Sequence, residues 1–579
     1  MLKMAIMKNV KTRGSKGIRY LLMAFLSFTL NGAVNASDAG FTNPILRGGY
    51  PDPSICRVGD DFYVVNSSFE YFPGLPIHHS KDLINWELIG YGLHRPEQAS
   101  SVVNLVDVQS DGGIHAPSIR CHNDRYYIIT TNVYSPAERG APTQMVNFVI
   151  TADDPAGPWS QPHVIKGAPG IDPDLFFESD GTVWYVGNHA PENPAFQGEG
   201  EIWLQQLDPT EWKLIGERYF LWRGALKGAI WAEGPHIYKK DGRYYLLIAE
   251  GGTSFDHAVT VASSDSLTGP YIGNSRNPIL TSRHLSYDNW VNSTGHADLV
   301  ELEDGRWYAV ALGIRNDIAR RSNMGRESHL IPVTWEQEPY EWKAEKLTWP
   351  VLAPSSGRVE RETPSPFSGT SQNKPSTFID NFDQANLQLD WNFRRVPKPD
   401  LFSLQAREGF LRLYADAELP RNRGRASLMG IRQTETDFEY IADMEFKPLH
   451  EGSQAGITLF QKDDNYMRFT VEQTASGYQL AVHVREARSE QEKGFKNLTL
   501  TDYQGRIQLR IDSDKSSYNL AYSLDEGRTW VEVSDIPGDN FISQGYTGAY
   551  LGLFAISQAN KTADFADFDW VKYSPRPRF

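Results

Sequence analysis

Asp52, Asp172 and Glu233 each stand eight residues ahead of a polar turn, in a series of five turns that begin at Asp60, Asp124, Asp180, Asp241 and Asp304. The two remaining turns place Ala116 and His296 at the same offset. Every turn leads into an aromatic pair: Phe62-Tyr63, Tyr126-Tyr127, Trp184-Tyr185, Tyr244-Tyr245 or Trp307-Tyr308. The turns recur every 56 to 64 residues, a period that fits one propeller blade of short antiparallel strands per repeat. If the repeats are equivalent, residues at one offset share one level of the innermost strands, which line a central channel. Three carboxylates and a histidine would then converge on one pocket, a residue set for acid–base chemistry on a sugar.

The local sequences assign separate tasks to these groups. Asp52 lies between Pro51 and Pro53, and the flanking prolines predict an extended segment that aims one carboxylate into a cleft. Asp172 is selected over Asp174 by the common offset, which leaves Asp174 as a solvated or turn-stabilising neighbour. Glu233 follows Ala229-Ile230-Trp231-Ala232. Desolvation beside Trp231, with repulsion from Asp52 and Asp172, would keep it protonated, as a general acid must be. Arg326 could reach across the cleft, bind sugar hydroxyls and hold Asp172 ionised; the alternatives are a buried pair with Glu233 or a surface salt bridge. Phe69 and Phe72 follow the first aromatic strand and offer faces on which a sugar can stack. His296 could contact a hard cation in a carboxylate-rich channel, directly or through water.

The elements that must position these residues are all β. Residues 37–352 hold the five repeats, 353–377 shift to Pro, Ser, Thr and Gly as a linker does, and 378–579 carry eight or more short strands of another kind, the pattern of a β-sandwich. The expected fold is therefore a five-bladed β-propeller followed by a β-sandwich. A formal charge of -15 and a pI near 5.5 argue against a nucleic-acid partner, which would require clustered Lys and Arg. In residues 1–36, six Lys and Arg side chains precede an apolar run and Val34-Asn35-Ala36 supplies a cleavage site, so a signal peptide and a periplasmic or secreted protein without a membrane anchor are expected. Cys56 and Cys121 lie at different offsets in separate blades and are read as two buried thiols rather than a disulfide.

Together these motifs resemble glycoside hydrolase family 43. They are Asn43-Pro44-Ile45, Pro51-Asp52-Pro53-Ser54, Ser68-Phe69-Glu70, Pro73-Gly74, Ser80-Lys81-Asp82-Leu83, Gly112-Gly113-Ile114-His115-Ala116-Pro117, Asp172-Pro173, Glu233-Gly234-Pro235 and Gly295-His296. The C-terminal part is similar to the module appended to the β-xylosidase and α-L-arabinofuranosidase branch. The resemblance implies inversion, with Asp52 as general base, Glu233 as general acid and Asp172 as the carboxylate that tunes and orients the acid. It also implies substrate binding by Arg326, a sugar platform at Phe69, His296 near calcium, and a loop of the sandwich that closes the pocket. His115 departs from the Trp or Phe often found there in relatives and is a smaller, more polar platform. A second calcium is expected near Asp380 and Asp569, and no organic cofactor. Ser523 to Trp530 resembles the Asp box of sialidase propellers, but it does not repeat by blade and is read as a hairpin turn.

The leading expectation is an exo-acting glycosidase releasing terminal α-L-arabinofuranosyl or β-D-xylosyl residues from plant polysaccharides or oligosaccharides. Two alternatives are an endo-acting arabinanase with an open groove and a non-catalytic carbohydrate-binding propeller.

Overall fold

The computed structural model describes residues 40–317, 321–338, 346–419, 423–486, 489, 491–514, 517–538, 545–557 and 564–577. The expected signal peptide lies outside them.

Five antiparallel sheets form a propeller, and each is built from one continuous stretch of chain. Their innermost strands are Ser54–Val58, Gly113–His122, Asp174–Phe177, Glu233–Lys240 and Val291–Glu301. The aromatic repeat forms the second strand of each blade, and its rings pack blade on blade: Tyr63 meets Tyr126 edge-on at 5.2 Å, and Tyr127 meets Phe177 at 5.0 Å. Burying such rings contributes roughly 1.5–3 kcal/mol each, so the periodic aromatics are the glue of the ring. Among the described residues no strand is shared between the first and last blades. Instead Asn43 latches the fifth blade, its amide donating to Leu330 O at 2.9 Å and accepting from Leu330 N–H at 2.9 Å.

The hub of the propeller is Arg120. From the second blade its guanidinium meets Ser54 of the first (3.4 Å), Asp174 of the third, His236 of the fourth (2.9 Å) and Asp298 of the fifth (2.9 Å). Asp174 is thus a buried structural anion, not the solvated neighbour expected, because the strand that starts there points it at the axis. Cys56 and Cys121 form a disulfide between blades 1 and 2, against the expectation of free thiols. Unequal offsets did not exclude it, since a register shift between His115 and Ser118 moves Cys121 relative to the repeat; its Cα lies 5.9 Å from that of Cys56.

Residues 353–377 are not a free tether. Glu362–Pro364 pairs with Gly40–Thr42, and the Gln372 amide bonds both backbone groups of Thr42. Two eight-stranded sheets then pack face to face around a core that includes Trp391, Met429, Phe438, Phe469, Leu509 and Phe568. One of these sheets ends in Tyr71–Phe72, a strand from the first blade that pairs with Phe393 and Arg394. Phe72 is therefore spent on joining propeller to sandwich and does not line the pocket, contrary to its assignment as a sugar platform. Ser523 to Trp530 forms a hairpin turn in which Asp525 accepts from Thr529 N–H at 2.8 Å.

Candidate active site

The repeat delivers its side chains by a backbone device. Asp52 (φ 51) and Asp172 (φ 52), just ahead of an inner strand, and His296 (φ 47), in the middle of one, all adopt the left-handed conformation. In the fourth blade Gly234 (φ 57) does so directly after Glu233, and register shifts follow at Glu233/His236 and around Gly295. Strain of this kind in non-glycine residues persists where the surroundings enforce it, and it is concentrated at functional sites. The extended conformation expected of Asp52 is thus corrected: the turn, not an extended run, aims the carboxylate.

Asp52, Asp172, Glu233, His296, Phe69, His115 and Arg326 line one small pocket of about 80 Å³, with Ala116, Ile171, Thr253, His257 and Tyr546. A larger cleft of about 620 Å³ lies between propeller, linker and sandwich, but it contains none of the three carboxylates. All three catalytic candidates are brought together, and so are three of the four substrate-binding candidates, Phe72 being the exception.

Arg326 is buried, only 4% exposed, and clamps Asp52 with two hydrogen bonds, Nη1 to Oδ1 at 3.0 Å and Nη2 to Oδ2 at 3.2 Å. It therefore serves Asp52 rather than Asp172 or Glu233, and the surface salt-bridge reading is excluded. Burial alone would raise the Asp52 carboxyl, but Arg326, His296 and the Ser67 hydroxyl (2.6 Å) outweigh it and hold the group below its ordinary value. Glu233 goes the other way: burial and repulsion from Asp52 raise it to about 7. Burial, Glu233 and Asp52 push Asp172 well above the usual carboxylate range. Two carboxyls that cannot both ionise beside a third that stays ionised form an acid–base pair with opposite poise. Burial lowers His296 to about 4, so it faces Asp52 (Nδ1 to Oδ1, 3.8 Å) as a neutral ring.

Sequence reasoning missed Thr253, His257 and Tyr546. Thr253 follows Gly251-Gly252 in a loop after an aromatic strand, as Phe69 does, and that parallel was the available signal. Tyr546 belongs to the sandwich and had no such signal. Its ring stacks on Phe69 (5.6 Å, 27°), lies 5.2 Å from the Arg326 guanidinium, and its carbonyl accepts from Arg326 Nε at 3.3 Å. Asp111 of the propeller pins this loop by accepting from Tyr546 N–H at 3.1 Å. Gly545 lies so close that an added Cβ would be 2.3 Å from the Asp111 carboxylate.

The channel does not suit the oxygen cage that a hard cation needs. Asp174 and Asp298 are committed to Arg120, which already supplies the axial positive charge, and His236 and His296 offer nitrogen. In the sandwich, Asp380 accepts from Trp391 Nε1 and Phe382 N–H, and Asp569 pairs with Arg506. Among the described residues no cluster of three or more His, Cys, Asp or Glu is arranged for a metal.

Comparison with known proteins agrees with this geometry. The profile of glycosyl hydrolases family 43 matches residues 41–339, and that of the β-xylosidase C-terminal concanavalin A-like domain matches 379–574. A xylosidase/arabinosidase of Butyrivibrio fibrisolvens is 39% identical over 537 residues, covering 91% of this chain and 98% of that protein. A non-reducing end α-L-arabinofuranosidase of Bacteroides ovatus is 34% identical over 549 residues, covering 93% and 96%. The crystal structure of a xylan β-1,4-xylosidase from Bacillus halodurans superposes with a TM-score of 0.82 at 29% identity, covering 92% of this chain and all of that one. A propeller that gathers an ionised Asp and a protonated Glu in one pocket, carried on a chain matched by both profiles, belongs to glycosyl hydrolases family 43 and is a glycoside hydrolase.

Proposed function

We propose that this protein is an exo-acting, inverting hydrolase that removes terminal β-D-xylosyl or α-L-arabinofuranosyl residues from plant cell-wall polysaccharides or oligosaccharides. The observation that carries this reading is that one pocket gathers Asp52, clamped by Arg326, with Glu233 and Asp172, and their opposite poise agrees with it. Asp52, kept ionised by Arg326, takes a proton from a water as that water attacks the anomeric carbon. Glu233 gives its proton to the departing glycosidic oxygen, and Asp172, which cannot ionise together with it, lies in the same pocket to tune and orient the acid. Direct attack by water inverts the anomeric centre. The relatives named for xylose and arabinofuranose support the substrate class. The pocket's small volume, with Tyr546 of the sandwich on its wall, favours one terminal sugar over the open groove of an endo-acting enzyme.

The basic and apolar start of the chain supports export, and the Cys56–Cys121 disulfide fits an oxidising compartment. Among the described residues no helix is long and apolar enough to cross a membrane.

The test is proton NMR of a xylo- or arabino-oligosaccharide digest, following the first anomer released. An inverted monosaccharide is expected from the start. A retained anomer, or larger oligosaccharides appearing before monosaccharide, would refute the proposal.

A further inference from the structure

Trp231 stands 48% exposed, although tryptophan is on average among the well-buried residues. Its backbone is nevertheless fixed. The residue is left-handed (φ 50), its N–H donates to Gly198 O at 2.6 Å, and the preceding Ile230 carbonyl accepts from Gly251 N–H at 2.9 Å. The indole rests against two glycines that leave room for it. A Cβ on Gly252 would come within 2.5 Å of Cε3, and one on Gly198 within 3.3 Å of Nε1. Gly252 is followed by Thr253, whose hydroxyl accepts from Arg326 Nη1 at 2.8 Å on the pocket wall. Glu233, two residues after Trp231, lines the same pocket. A rigid, solvent-facing aromatic surface is thus held just outside the pocket, beside the residue that must meet the departing oxygen. The two loops involved also expose Leu226 and Phe255.

We infer that Trp231 is the platform for the leaving-group sugar, the pyranose ring that carries the scissile oxygen away. The C–H face of such a ring stacks on an aromatic surface, and docking it there would align its oxygen with the Glu233 proton. The inference rests on the proposed role of Glu233 as general acid and extends that site outward by one sugar.

The test compares the wild-type enzyme with Trp231→Ala and Trp231→Phe on two substrates of the same terminal pentose: the glycosyl fluoride, which has no leaving-group sugar, and the corresponding oligosaccharide. Trp231→Ala should lose about tenfold or more in kcat/KM on the oligosaccharide, chiefly through KM. On the fluoride it should lose less than about twofold. Trp231→Phe, keeping a ring, should fall between. Fluoride turnover also reports that each variant is folded and that Asp52 still works. A loss on the oligosaccharide in kcat with KM unchanged would make Trp231 a mere support for Glu233, since fluoride departs with little help from an acid; equal loss on both substrates would make it a support of the whole pocket, and no loss on either an idle surface residue, and each of these outcomes overturns the inference. Inertness of the wild type on both substrates would instead refute the hydrolase reading, and the subsite with it.

Discussion

The propeller reaches the pocket five times and the sandwich once. Each blade brings an inner strand to the axis, and a left-handed or bulged residue near its head or within it turns one side chain inward. Among the described residues the sandwich contributes only Tyr546, from a loop that depends on propeller groups for its position: Asp111 holds its amide, Arg326 its carbonyl, and Asn323 O accepts from Ala549 N–H at 2.7 Å. The difference teaches that chemistry and enclosure are divided. Repetition places charged groups at equal depth around one point, which acid–base catalysis requires, whereas the sandwich adds one aromatic wall that touches Phe69 and Arg326 and no proton-transfer group. The two parts are still not separable modules, since Tyr71 and Phe72 of the first blade complete a sandwich sheet.

The sharpest way to break this division is to neutralise the propeller's carboxylates. Asp52→Asn and Glu233→Gln should each lower kcat by about 10²–10⁴-fold, measured on an aryl glycoside; calorimetry should show little change for Glu233→Gln and a lowered midpoint for Asp52→Asn, which leaves the buried Arg326 without its counter-charge. The pH profile follows with them. Activity needs Glu233 protonated and Asp52 ionised, so kcat/KM should fall as pH rises through about 7 and fall on the acid side only below the ordinary Asp range. Glu233→Gln should abolish the alkaline limb; a limb that survives would assign it to another group.

Next in size is the hub. Arg120→Met leaves Asp174 and Asp298 without their buried counter-charge, and breaking such a pair costs about 3–5 kcal/mol, readable as a lowered denaturation midpoint. An unchanged midpoint would show that the five blades are held by their aromatic faces alone.

The sandwich's share comes third. Tyr546→Ala should raise KM about tenfold through lost stacking and enclosure, with kcat falling far less. If kcat falls as steeply as it does for Glu233→Gln, the assignment of chemistry to the propeller alone is wrong. The smallest effect belongs to Asp111→Ala, expected to raise KM a few-fold by freeing the Tyr546 loop. Because both substitutions act on one wall, the double variant should be little worse than Tyr546→Ala alone; full additivity would separate the two residues.

Much of this molecule was legible from its residues, and the reason is periodicity. A repeat ties position in the chain to position in space, so the shared offset found Asp52, Asp172 and Glu233 before any coordinates did. Phe69 followed from its loop position after the first aromatic strand, and His115 from the family resemblance. The misreadings arose where a side chain's partner is distant in sequence. Asp174 looked solvated because Arg120 and His236 lie on other blades, and Phe72 looked free because its strand partner is Phe393. The cysteines looked mismatched because a register shift is invisible to residue counting.

The sequence alone determined the all-β architecture, the carboxylate set and the family resemblance, since each is written in local composition and spacing. Only the tertiary structure decided which carboxylate Arg326 neutralises, that Arg120 closes the hub, and that Tyr546 walls the pocket. These depend on Coulombic and packing contacts between residues far apart in the chain, Asp52 and Arg326 by 274 positions and Asp111 and Tyr546 by 435. No local pattern specifies such contacts, because their energy exists only once the intervening chain has folded.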